Sequence, residues 1–378
     1  MSRRLPITLV GGFLGAGKTS FLHHAVSEHQ GGHLALFVEN PGPLNLDAKA
    51  IGGLCGAMRR LNDRVLEIPA SDETMQIDWI AERLQECARS GQFERVLMEI
   101  GGTANAARLG QPLVLSEKIA PWAELQQVIC VVDALDFYRT QVASPPDQPH
   151  DPLSDFQREQ ISGASLLVLN KCDLVDEAQR QACTRHLRSL HPTAPIVETD
   201  YGEVPAEIWS RAGVLPEPET AHANGKAHGE ESAPLSSVLY RAYRPFHPER
   251  FWTWFNAEHS GLLRVKGIVW LASRNLLVGG VSRTRWQNGC GGAGIWWAAL
   301  PREEWPEETE ALMKMQETWR EPYGDRRQEL VLIGNATLLP GIVRQLDTCL
   351  LNAEESSRPV SEWATFSDPF PAWDLDEG

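Results

Sequence analysis

The stretch "GGFLGAGKTS", residues 11–20, follows the apolar run "LPITLV" and precedes "FLHHAV". From Gly12 to Thr19 it fits the spacing G-x-x-x-x-G-K-[ST]. Glycines at these places let the backbone curl so that successive N–H groups point at phosphate oxygens, and the helix that follows adds the positive end of its dipole. Ile7, Leu9 and Val10 read as a short buried strand and "TSFLHHAV" as a helix start, which is the context such a loop requires. The expectation is a loop in which Gly12, Gly15, Ala16, Gly17, Lys18, Thr19 and Ser20 hold phosphates. Lys18 would reach the β- and γ-phosphates and the Thr19 hydroxyl would ligate Mg²⁺.

Outward from that loop, residues 1 to about 215 alternate apolar runs with longer helical stretches. The runs are "ITLVGG", "LALFVEN", "RVLEI", "RVLMEI", "QVICVVDA", "LLVLNK" and "APIVET", with "DWIAERLQECARS" and "EAQRQACTRHLRSL" among the helices. This alternation predicts an α/β fold: a doubly wound, mostly parallel sheet of the P-loop NTPase type, covered on both faces. Ligands in such sheets sit at the carboxyl ends of strands, where Gly12, Glu39, Glu99, Asp133 and Asn170 fall.

Residues 216–234, "PEPETAHANGKAHGEESAP", have no aromatic residue and no apolar period and read as a flexible linker; its His222 and His228 are weak candidates for collecting metal. Ten of the 13 tryptophans lie beyond residue 235. A smaller C-terminal α+β domain is expected over 235–353, with "VLYRAYRPF", "LLRVKGIVWLA" and "ELVLIG" as strands, "PERFWTWFNAE" and "PGIVRQLDTCLL" as helices, and "GIWWAAL" as a buried strand. Residues 354–378 form an acidic, aromatic tail that either packs on its own domain or docks a partner.

The chain of 378 residues has an apolar share of 42%, a charged share of 22% and a formal charge of −15. That charge argues against nucleic-acid and anionic-membrane partners, which need a basic surface. No apolar run reaches the ~20 residues that span a bilayer. The N-terminal apolar segment is the strand and loop rather than a removable leader, so a cytoplasmic location is expected. The seven cysteines are scattered and none forms C-x-x-C, which excludes an evident disulfide framework.

"VLNKCDLVD" places Asn170, Lys171, Cys172 and Asp173 directly after an apolar strand. In an N-K-x-D pattern the Asp173 carboxylate would accept hydrogen bonds from the guanine N1–H and exocyclic amine, a pair that adenine does not offer. Asn170 would meet the base edge or tie the loop, the Lys171 stem would lie along the ring, and Thr199 in "ETDYGEVP" would help close the pocket. Glu99, before "GGTAN", would hold Mg²⁺ through water. Asp47, in "NPGPLNLD", is a second candidate in the region that senses a γ-phosphate. The group that positions the attacking water is not identifiable; Glu39 and Asn40 are candidates.

Together these motifs resemble the CobW-type GTPases, metal chaperones related to the urease and hydrogenase accessory GTPases. "TLVGGFLGAGKTSFLHH" resembles the family's N-terminus. "MEIGGTANAARL" resembles its E-[ST]-[ST]-G-x-A-[DE]-P segment, retaining Glu99, Gly102 and Ala104, and "EQISGASLLVLNKCDLV" resembles its later core. "YRPFHPERFWTWF" and "GDRRQELVLIG" resemble parts of its C-terminal domain. The resemblance implies slow, Mg²⁺-dependent GTP hydrolysis, a conformational switch, Zn²⁺ or Co²⁺ as cargo and a client metalloprotein. Lys18, Thr19 and Glu99 would carry the hydrolysis.

Two departures stand against it. Where the family has G-C-x-C-C this chain has "VLEIPASDETM", with Asp72, Thr74 and Met75 in place of the cysteines. Cys55 is out of register with them. A carboxylate, a hydroxyl and a thioether suit Zn²⁺ less than thiolates do. In "VENPGPLNLD" the family's N-E order is exchanged at Glu39 and Asn40, and Pro41 and Pro43 stiffen the loop. Two readings stay open: a GTPase metallochaperone using other ligands, such as Glu39, Asp72, Glu73 or the linker histidines, and a metal-independent GTP switch that acts on a protein partner. An ATP-dependent small-molecule kinase is disfavoured by "NKCD". In the C-terminal domain, His247 and His259 are metal candidates against a packing role, and Arg250, Arg264 and Lys266 form a basic surface or pair with Glu249 and Glu258.

Overall fold

A computed structural model describes residues 4–28, 34–39, 65–68, 73–102, 106, 110, 116–144, 152–215, 235–305 and 309–373. Contacts divide the chain into two compact units, Met1–Ser232 and Ala233–Gly378.

The first unit is built on a sheet of seven strands: β1 (Leu5–Gly11), β2 (Leu34–Glu39), β3 (Val65–Ile68), β4 (Arg95–Glu99), β5 (Ala123–Asp133), β6 (Leu166–Asn170) and β7 (Ile196–Glu198). Their order is β3-β2-β4-β1-β5-β6-β7, and every pairing is parallel. All seven apolar runs of the first half form strands, and among the described residues their pairings are parallel, as expected of a mostly parallel sheet.

β1 is buried along its whole length. Ile7 and Leu9 pack on one side with Phe37, Ile80 and Leu84. Val10 packs on the other with Phe21, Leu22 and Val131. This is the period of two of a strand covered on both faces. Helix α1 (Lys18–Glu28) supplies Phe21, Leu22 and Ala25 to the second side, and α2 (Glu73–Ser90) supplies Ile80, Ala81 and Leu84 to the first. Helices thus lie on opposite faces, and the layers are those of a doubly wound fold. The described residues of the unit also include a short helix α3 (Ala134–Phe137), α4 (Pro152–Ser162), α5 (Glu177–Leu190) and a one-turn α6 (Ala206–Trp209). α5 begins at a capping box in which Asp176 and Gln179 bond each other's backbone N–H.

Because β1 lies between β4 and β5, the chain leaves it toward one edge of the sheet and later returns to the other. The carboxyl end of β1 is therefore a switch point, where such sheets open a crevice.

The second unit carries an antiparallel sheet in the order β11-β10-β9-β12-β8: β8 (Leu235–Ala242), β9 (Leu262–Val269), β10 (Leu277–Arg283), β11 (Asn288–Ile295) and β12 (Gln328–Asn335). Helices α7 (Pro248–Asn256) and α9 (Leu339–Cys349) bury Phe251, Phe255, Ile342 and Leu346 against it. α8 (Thr309–Thr318) lies between β11 and β12 in the chain, and α10 (Ala353–Ser357) and α11 (Val360–Trp363) follow α9.

"GIWWAAL" is not a strand throughout. β11 stops at Ile295, Trp296 is buried, and Trp297–Ala299 form a 3-10 turn. The Asp325 carboxylate accepts from the N–H groups of Trp297 and Ala298 at 3.0 and 2.9 Å, which holds that turn. Residues 354–373 pack on their own unit: Trp363, Phe370 and Trp373 are buried, and Arg274 pairs with Asp368 at 2.8 Å. Among the described residues no helix is long and apolar enough to cross a membrane.

Candidate nucleotide-binding site

The turn after β1 is made by Gly12, Gly15 and Gly17 at φ of 133°, 81° and 101°, where side chains are strongly disfavoured. A Cβ at Gly12 would lie 2.1 Å from the Val131 carbonyl oxygen, and one at Gly17 would lie 2.2 Å from Asn170 Nδ2. The loop thus closes back on β5 and β6, and a Cβ would run into backbone at Gly12 and would have to displace the Asn170 amide at Gly17. Lys18 begins α1 with its side chain buried; its Nζ donates to the carbonyls of Gly12 and Phe13 at 2.8 and 3.3 Å. This folds the lysine over its own loop. Thr19 is half-buried in the same first turn, and Ser20 is exposed.

Glu99 ends β4 and is buried, in register with Val10 immediately before the loop. Gly102 lies against the loop itself, since a Cβ there would be 2.8 Å from the Leu14 nitrogen. The "EIGG" segment and the phosphate loop therefore pack backbone to backbone.

Asn170 is 1% exposed. Its Nδ2 donates to the Ala16 carbonyl at 2.9 Å, and its Oδ1 accepts from the Gly202 N–H at 2.8 Å. The Asn170 amide thus ties the phosphate loop to the loop after β7. Lys171 follows in the left-handed region at φ 60°, and its ammonium lies 2.7 Å from Asp133. Cys172 N–H donates to the Thr199 carbonyl at 3.2 Å, and Asp173 N–H to the Asp200 carboxylate at 2.8 Å. The Thr199 hydroxyl turns into its own loop and donates to the Glu203 carbonyl at 2.7 Å. The Asp173 side chain is exposed. The loops after β1, β6 and β7 are thereby laced into one surface. Asp133 and Asp200, which brace Lys171 and Asp173, were not singled out for those roles from sequence. The acid ending "ICVVD" and the one beside Thr199 were the available signals.

Asp47 and Asp72 lie outside the described residues, as do Asn40, Pro41, Pro43, Cys55 and the linker histidines. So do the side chains of Glu39, Glu73, Thr74 and Met75. Among the described residues no group of three His, Cys, Asp or Glu side chains is placed to hold a metal ion. Burial pushes the thiols of Cys130 and Cys183 up to about 12 and those of Cys87 and Cys172 up to about 11. In the second unit His247 stacks on Phe366 with ring centroids 4.9 Å apart, and a His259 ring nitrogen bonds the Trp254 carbonyl at 2.8 Å. Both serve packing. Arg250 pairs with Glu355, not with Glu249.

A glycine cradle at the carboxyl end of a central parallel strand, with a buried lysine folded over it, defines a P-loop nucleotide-binding protein. The model of the CobW/HypB/UreG nucleotide-binding domain matches residues 6–198, and that of the cobalamin synthesis protein CobW C-terminal domain matches residues 235–350. The chain belongs to the CobW/HypB/UreG GTPase family. It is similar to the zinc-regulated GTPase metalloprotein activator 1 of Dictyostelium discoideum, with 26% identity over 97% of this chain and 84% of that protein. It is also similar to the zinc chaperone CobW of a Sinorhizobium species, at 27% identity over 60% of this chain and 67% of that protein. The zinc chaperone YjiA of Escherichia coli strain K12 is 24% identical over 74% of this chain and 86% of its own length.

Proposed function

We propose that this chain is a GTP-driven metallochaperone: hydrolysis in the first unit switches the handling of a transition-metal cargo, Zn²⁺ or Co²⁺, destined for a client metalloprotein. The observation that carries the nucleotide part is Asn170, which joins the phosphate loop, the N-K-x-D loop and the loop after β7 through two buried hydrogen bonds. Phosphate and base are thereby read by one connected surface. Gly12, Gly15, Ala16, Gly17, Lys18, Thr19 and Ser20 take the phosphates, and Asp173 takes the guanine edge. Thr19 and, through water, Glu99 fit Mg²⁺, which when bound neutralises charge on the β- and γ-phosphates. Catalysis is then positioning and electrostatics, with no covalent step on the protein. The linker over 216–234 would join the nucleotide unit to the C-terminal one.

The metal part is supported by the names of the relatives, which are zinc chaperones and a zinc-regulated activator. Asp72 and Glu39 are the ligands with which mapping begins. A metal-independent switch that works on a protein partner is the second reading. It is favoured by the missing C-x-C-C motif.

The guanine assignment is tested with Asp173→Asn, which replaces two acceptors by one acceptor and one donor. Preference is expected to move from GTP toward xanthosine triphosphate. An Asp173→Asn protein that keeps its full preference for GTP, or a wild type that holds ATP as well as GTP, overturns the assignment.

A further inference from the structure

The guanine loop contains an ion pair that neither motif accounts for. Lys171 Nζ and Asp133 Oδ2 are 2.7 Å apart, with side chains 18% and 11% exposed. Asp133 is the last residue of β5, in parallel register with Asn170, the last residue of β6. Its other oxygen, Oδ1, accepts from the N–H groups of Leu135 and Asp136 at 3.0 Å each, capping α3. Three donors therefore fix one carboxylate, and the carboxylate in turn fixes the tip of the lysine. The other end of Lys171 is set by its left-handed backbone and by its carbonyl, which accepts from Leu174 N–H at 3.1 Å.

We infer that Asp133 is a positioning residue for purine binding: by holding the Lys171 ammonium it makes the four-carbon stem a fixed apolar shelf for the face of the base. A free lysine carries about 2 kcal/mol of rotamer entropy, and a stem that must be ordered on binding gives part of its contact energy back. Here the ordering precedes the ligand. The shelf touches a ring face, not an edge, so it serves guanine, hypoxanthine and xanthine alike and does nothing for a ligand without a base. The two acids then divide the work: Asp173 selects which purine binds, and Asp133 sets how tightly any purine is held. This rests on the guanine-site reading proposed above.

The test uses the full chain and Asp133→Asn. Asparagine is as good a helix cap as aspartate, so the Oδ1 contacts to α3 can persist while the charge facing Lys171 is removed. Affinities are measured by calorimetry for GTP, ITP, XTP, ATP and inorganic tripolyphosphate. Asp133→Asn is expected to weaken GTP, ITP and XTP by a common factor of about 5–30, with tripolyphosphate affinity within about twofold of wild type. Lys171→Met, which keeps an apolar stem without the ammonium, should show the same uniform loss. In the Lys171→Met background Asp133→Asn should add less than about twofold, because the two act as one unit. Equal weakening of tripolyphosphate and GTP would overturn the inference, since Asp133 would then be supporting the phosphate loop. So would an unchanged GTP affinity, or independent and multiplicative losses in the double variant. If Asp133→Asn does not fold, the uniformity of the Lys171→Met loss decides the matter alone. A wild type that holds ATP as tightly as GTP sinks the guanine reading itself; a wild type that selects GTP while the variants behave as wild type sinks only the role of Asp133.

Discussion

Gly17→Ala probes the join between the phosphate loop and the guanine loop. The new Cβ would be 2.2 Å from Asn170 Nδ2 and 3.5 Å from its Cγ. Asn170 is buried and bonded at both ends, so its amide can move only by releasing the Ala16 carbonyl and straining the bond from Gly202. A non-glycine residue at φ 101° costs about 1–2 kcal/mol. The lost hydrogen bond adds about 1 kcal/mol, and more if the buried carbonyl stays unpaired, giving about 2–4 kcal/mol in all. Asn170→Ala alone should cost about 2–4 kcal/mol, because it breaks both bonds and orphans the Gly202 N–H. In the double variant the collision partner is gone, and only the backbone strain of a non-glycine residue at this φ is added to the Asn170→Ala loss. The pair should therefore fall short of additivity by about 1–2 kcal/mol. Hydrogen exchange at the amides of β1 and β6 in nucleotide-free protein reads this within the first unit, at about tenfold in rate per 1.4 kcal/mol. Additivity to within about 0.5 kcal/mol would refute the reasoning, for the Cβ would then not press on the Asn170 amide.

Lys18→Ala removes a charged donor from the loop that its own Nζ spans, and should weaken GTP and GDP at least about 100-fold with turnover falling alongside; binding within twofold of wild type by calorimetry contradicts the phosphate role. In the second unit, the Arg250 guanidinium bonds both oxygens of Glu355 and holds its carboxyl down at about 2. A depressed carboxyl stabilises the fold above its unfolded value near 4.5 and loses that contribution as pH falls toward 2. Glu355→Gln should thus lower stability near pH 7 by about 1–2 kcal/mol, solvent at Arg250 screening the rest, and flatten the acid limb of a thermal-melting series. An unchanged slope between pH 5 and 2 would show that the pair is not a source of the acid sensitivity.

The parts of the site that sequence made legible are those in which spacing is itself the structure. Gly12, Gly15 and Gly17 recur where the backbone must turn through positive φ, and Lys18 can only follow them into the first turn of α1. The central strands β1, β4 and β6 were legible for a similar reason: a strand buried on both faces has no polar interruption to hide it. β10 and β11 were not, because "LVGGVSR" and "NGCGGAGI" hold too many glycines to show an apolar period, and pairing with β9 decides them. "GIWWAAL" failed in the opposite sense. Its apolarity is real, but a carboxylate from Asp325, far along the chain, bends it into a turn after Trp296. The braces on Lys171 and Asp173 escaped for the same reason: Asp133 and Asp200 meet them only once β5, β6 and β7 lie side by side. The aromatic tail could be read two ways, and its choice rests on Trp363 and Phe370 finding room in the second unit's core.

The most direct test of a GTP-driven metallochaperone without C-x-C-C is the affinity of the tag-free protein for Zn²⁺ and Co²⁺, by chelator competition, with and without Mg²⁺-GTP. Tight binding is expected that GTP shifts by at least about fivefold, the low end of typical coupling between two sites, and that Asp72→Ala or Glu39→Ala weakens. Weak binding that ignores the nucleotide would contradict it and leave the metal-independent switch.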